Sequence, residues 1–143
     1  MSIAYFPCLC IVKENRVVLS VSTIASLTSM FENWVFQYMS DPKHATEDVT
    51  TITEANQMRK VMELQIYSLY VFQADPDTRL FLLTSITVGN NALKELFNAL
   101  YTSYQHHLIN PLNQSDHLNT SKNSALYRDI YNVLSSYEKE MDF

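Results

Sequence analysis

Two cysteines, Cys8 and Cys10, stand two residues apart in an apolar stretch near the start of the chain. On a strand that spacing turns both thiols to one face. Two thiols are half of a metal site, and no C-x-x-C or H-x-x-x-H pair supplies the other half. His106 and His107 are adjacent and point in different directions on a helix, while His44 and His117 fall in polar stretches. A cysteine nucleophile paired with one of these histidines is formally allowed. A thiol on a buried apolar strand is a poor one, because desolvation raises its pKa. No serine has the flanking glycines of a nucleophile elbow. Asp75 and Asp77 flank Pro76, which is turn chemistry. Glu138, Glu140 and Asp142 form a terminal charge run that reads as a solvated face. Among the dispersed basic residues, Arg59 and Lys60 are adjacent and could meet a phosphate or lipid head group, yet a polybasic anchor uses four or more. The expectation is a protein with no catalytic residues, no metal and no cofactor.

Composition narrows the classes further. The 143 residues contain one glycine, Gly89. Loops that cradle phosphates need several, because backbone must approach the ligand closely, so P-loops, dinucleotide fingerprints and kinase loops are excluded. A net charge of −5 argues against nucleic acid as a partner. The chain is 47% apolar and only 17% charged, enough to fold and unusually poor in charge for its surface. No basic, apolar leader opens it, and its apolar runs fall short of the roughly 18 residues of a membrane span. With two close cysteines and no disulfide framework, the expected location is cytoplasmic.

The elements that must position these residues follow from periodicity. Residues 2–12 and 16–22 read as a hairpin turning at Lys13-Glu14-Asn15. Residues 24–39 switch to a helical period, with Thr23 as a cap. Strands are expected at 48–54, 61–73 and 79–87, and helices at 91–109 and 124–139. The order ββαβββαα describes an α+β fold, five antiparallel strands with helices on the faces, in one domain over 1–143.

The first helix carries more apolar surface than a sheet covers. At 100° per residue its apolar arc runs from Met30 through Trp34, Phe31, Val35 and Met39 to Ala25, about 220° wide, where packing needs a little over 100°. Tyr101 and Leu108 widen the stripe of the second helix to about 200°. The excess is covered either by a neighbouring helix of the same domain or by another protein. Nine tyrosines suit surfaces that are wet at one time and buried at another.

Two local stretches then carry a resemblance. Ile11-Val12-Lys13-Glu14-Asn15 ends the first strand in a Lys-Glu-Asn turn. The second helix ends in Tyr104 followed by Asn110-Pro111-Leu112, and Ser124 to Tyr127 leads into the last helix. With the order of elements, these resemble the sedlin branch of small TRAPP complex subunits. The chain departs from that branch at Leu27, which is followed by Thr28 rather than an aspartate. The resemblance implies a longin-like (profilin-like) fold and a non-enzymatic adaptor subunit of a cytosolic tethering complex. Its partners would be other TRAPP-type subunits, with an indirect link to a Rab GTPase and to Golgi membranes. The expected interface is Ala25, Thr28, Met30, Phe31, Trp34, Val35, Met39, Tyr101 and Leu108. The alternative is another longin-type regulatory domain, of the SNARE or adaptor small-chain kind, that binds a peptide or small GTPase itself.

Overall fold

Every residue from Cys8 to Val12 is apolar and buried, the pattern of a strand covered on both faces. The computed structural model describes residues 5–14, 16–40, 58–63, 66–85, 89–109 and 125–140. It contains strands β1 (Cys8–Lys13), β2 (Arg16–Ser22), β3 (Met58–Glu63), β4 (Tyr67–Asp75) and β5 (Thr78–Ser85). The helices are α1 (Thr28–Ser40), entered through a 3-10 turn at Ala25–Leu27, α2 (Asn90–Ile109) and α3 (Ala125–Glu140). The sheet order is β2-β1-β5-β4-β3, with every neighbouring pair antiparallel.

The two-residue period of the strands sorts their side chains into two layers. Leu9, Ile11, Tyr70, Phe72, Leu80 and Leu82 meet Leu93, Leu96, Phe97, Leu100 and Tyr104 of α2 and Leu126, Ile130 and Leu134 of α3. On the opposite face Cys8, Cys10, Val12, Leu69, Val71, Phe81 and Leu83 meet Phe31, Val35 and Tyr38 of α1. Phe72 and Phe97 stack with ring centroids 4.9 Å apart, and Tyr38 meets Phe81 edge-on at 5.3 Å.

Two expectations need correction. The run 61–73 is not one strand but parts of two, because β3 and β4 form a hairpin with Glu63 opposite Ser68. The reversal uses neither glycine nor proline, and an irregularity between Lys60 and Met62 breaks the alternation. Thr23 does not cap the first helix: its N–H donates to Pro7 O at 2.8 Å, and the Ile24 that precedes the 3-10 turn makes no side-chain cap. The strand expected at 48–54 lies outside the described residues. At the β1–β2 turn Glu14 adopts a positive φ of 52° and donates its N–H to Asp77 O at 3.0 Å, which joins the two hairpin ends.

Candidate protein interface

The residues best equipped for chemistry are structural. Cys8 and Cys10 share one face, as their spacing requires, and lie under α1 as free thiols. Burial pushes both up, and the nearby Glu32 carboxylate adds to it, with Cys10 reaching about 12. Neither is a thiolate at neutral pH. Labelling by a disulfide reagent at pH 8 will therefore be at least ~100-fold slower in the folded protein than in urea. Equal rates would place a thiol at the surface.

Between α2 and α3 an open groove of about 610 Å³ is lined by Glu95, Thr102, Ser103, His106, His107 and Asp129 among others. His107 is buried, and its Nε2 lies 2.6 Å from Asp129 Oδ2, so an imidazole N–H donating to the carboxylate ties the two helices together. Among the described residues no group of three His, Cys, Asp or Glu could hold a metal ion. His44 and His117 lie outside the described residues.

Asp75 holds the β4–β5 turn to α2. It accepts from Tyr101 Oη at 2.5 Å and from the Asp77 N–H at 2.8 Å. Burial acts to raise its carboxyl, but the bonds from Tyr101, Asp77 and Thr78 outweigh that and hold it below the usual range. A lowered native value stabilises the fold above the unfolded value of about 4, and that stability is lost as the pH falls through the native one. Tyr101→Phe will cost about 1 kcal/mol at pH 7, a charge-assisted bond discounted for partial exposure. Urea unfolding will show the difference shrinking towards pH 3. A constant difference would remove Asp75 from the explanation.

Arg59 donates to Tyr38 Oη at 2.8 Å, and Lys60 pairs with Glu63 at 3.3 Å while lying over the Tyr70 ring. Both charges are tied into the fold around β3.

The first helix has two kinds of apolar residue. Phe31 and Val35 were expected at an interface, yet they are 0% and 1% exposed against the sheet. A residue with no exposed surface cannot touch a partner, so both belong to the core. Ala25 and Met30 are exposed, and Thr28, Trp34 and Met39 are half-buried. Tyr101 is half-buried and held by Asp75, and the side chain of Leu108 is not among those described. The helix stripe pointed past one residue altogether. Phe36 sits roughly 140° around the helix from Phe31 and is 65% exposed. On the helical wheel it lies about 20° past Ala25, at the edge of the apolar arc, between Glu32 and Asn33. Together with Val17, which is 50% exposed on β2, it marks the rim of a groove of about 420 Å³. Cys10, Glu32, Asn33, Val35 and Met39 complete the lining. Ser20 Oγ donates to Glu32 Oε1 at 3.0 Å, tying β2 to α1.

Of the motif residues, Tyr104 is buried in the α2–α3 layer and Tyr127 stacks on Tyr131 at 6.4 Å. Asn110, Pro111, Leu112 and Ser124 lie outside the described residues, as does Asn15.

A five-stranded antiparallel sheet with one helix on one face and two on the other, in this order of elements, defines a longin-like domain. The yeast R-SNARE Nyv1p, described as a longin domain protein, has the same fold: the TM-score is 0.53 at 12% identity, over 98% of this chain and 93% of that one. The sequence pattern of the Sedlin family matches residues 19–133, and the chain belongs to that family. No curated protein sequence matches it. Among the described residues no helix is long and apolar enough to cross a membrane.

Proposed function

We propose that the chain, as one longin-like domain over 1–143, is a non-catalytic adaptor subunit of a TRAPP-type complex that tethers vesicles and exchanges Rab nucleotide in ER–Golgi or Golgi traffic. It acts through protein contacts with other subunits of the complex, and its links to the Rab and to Golgi membranes are indirect. Its place is cytoplasmic, peripheral to those membranes. Membership of the Sedlin family supports this reading. The single observation that carries it is the exposed apolar rim of α1 and β2, with Phe36 and Val17 at its centre and Met30 43% exposed on another side of the same helix. Exposed aromatic and Met side chains gathered on one element are what docking surfaces use.

The test is recovery of a complex by an affinity-tagged chain from its own cells. Phe36→Asp will lower the yield of co-purifying subunits at least ~10-fold, since hot-spot aromatics commonly carry 2 kcal/mol or more. Met30→Glu, on the other flank, tells whether the contact wraps around the helix. An unchanged set of partners with Phe36→Asp would sink this surface as the contact.

A further inference from the structure

The groove of Phe36 and Val17 runs beside the outer edge of β2, which no strand among the described residues covers. We propose that its occupant is an extended strand of the partner protein, paired along β2. That strand carries a basic side chain beside Glu32 and a large apolar side chain two residues away, beside Val17 and Phe36. The inference rests on the adaptor reading above, because it takes the same rim as the docking surface.

β2 is an outer strand of the sheet, and among the described residues nothing pairs with its outer edge. Its outward N–H and C=O groups are therefore a template for another strand. A helix laid in the groove would fill the apolar volume but shut those groups away from water without partners, whereas a strand pairs them. The register leaves room for it. Ser22, Ser20 and Val17 stand opposite Cys8, Cys10 and Val12, so they share the face turned to α1. The irregularity near Val18 brings Val17 to that face. The groove opens between Val17 of β2 and Glu32, Phe36 and Met39 of α1. An added strand would set alternate side chains into it.

Charge selects among such strands. Among the described residues, Glu32 is the one charged residue lining the groove. Its Oε1 accepts from Ser20, and the carboxylate has further acceptor capacity. Covering it with an apolar partner would strand a charge, so a Lys or Arg must accompany the strand. A side chain directly across from Ser20 would stand about 5 Å from it, within reach of Glu32 for either residue. Two residues along the same face, the next side chain meets Val17, Phe36 and Met39, where an apolar group fits.

The test uses the full-length tagged chain and the complex it recovers from its own cells. Hydrogen–deuterium exchange over Leu19–Ser22 will slow at least ~10-fold in the complex relative to the free chain, because the outward amides become bonded. Glu32→Lys will lower recovery at least ~10-fold and Glu32→Gln about threefold, with Asn33→Lys as the control for added charge. Glu32 is exposed, so these variants keep the fold. Unchanged exchange over β2 in the complex, or recovery indifferent to Glu32→Lys, overturns the strand. If Phe36→Asp still abolishes recovery in that case, the adaptor reading stands and only the strand falls. Recovery indifferent to Phe36→Asp, or no partner recovered by the unaltered chain, overturns both.

Discussion

Phe31→Asp will leave the protein with no cooperative thermal transition, while Phe36→Asp, five residues on along the same helix, will melt within about 2 °C of the unaltered chain. The ring of Phe31 is fully buried against Cys8, Cys10 and Phe81 in the α1 layer, whereas that of Phe36 is mostly in water. Losing the buried ring costs roughly 3–5 kcal/mol. Placing a carboxylate among these apolar side chains adds a desolvation cost of several more. The sum is comparable with the roughly 5–15 kcal/mol that holds a domain together. At position 36 neither cost arises. Circular dichroism melts of the two variants decide the matter. A folded Phe31→Asp protein would mean that α1 can leave the sheet without the rest unfolding.

Phe97→Ala will lower stability by about 3–5 kcal/mol, the range for a large ring removed from a core that cannot collapse around the gap. Phe97 lies flat on Phe72 with an interplanar angle of 5°, so truncation also removes an aromatic pair. The neighbouring Leu93, Leu96 and Leu100 belong to the same helix, which the sheet and α3 hold in place, and little movement is available to refill the space. A melting temperature lowered by about 10 °C or more is expected. A drop of a degree or two would show that α2 shifts to close the cavity. Partner recovery by the folded fraction will be unchanged, because Phe97 lies on the side of the sheet away from the α1–β2 groove.

Long, strongly periodic segments were legible from the residues. The bounds of β2 and of the second and third helices follow from their spacing within a residue, because each has one clear buried stripe or alternation. The β3–β4 hairpin was hidden because residues 64–66 include no Gly, Pro or Asn to signal a break. The interface was only half visible. A helical wheel measures how much apolar arc a helix carries and says nothing of how a layer of strands will use it. Phe31 and Val35 therefore looked available and are core, while Phe36, next to the end of the apolar arc, is the residue left in water. The sheet edge beside it depends on strand order, which emerges only from long-range pairing.

The unequal layers have a consequence for motion. Among the described residues the α2–α3 side buries eighteen core side chains and the α1 side ten. Free energies of local opening follow buried apolar area, so α1 opens transiently more often than α2 and α3, although its permanent loss would expose a whole face of the sheet and unfold the domain. A partner that grips α1 and β2 together would hold α1 shut. The domain would then gain kinetic resistance to proteolysis on binding, and the unpartnered chain would be the form that a cell degrades.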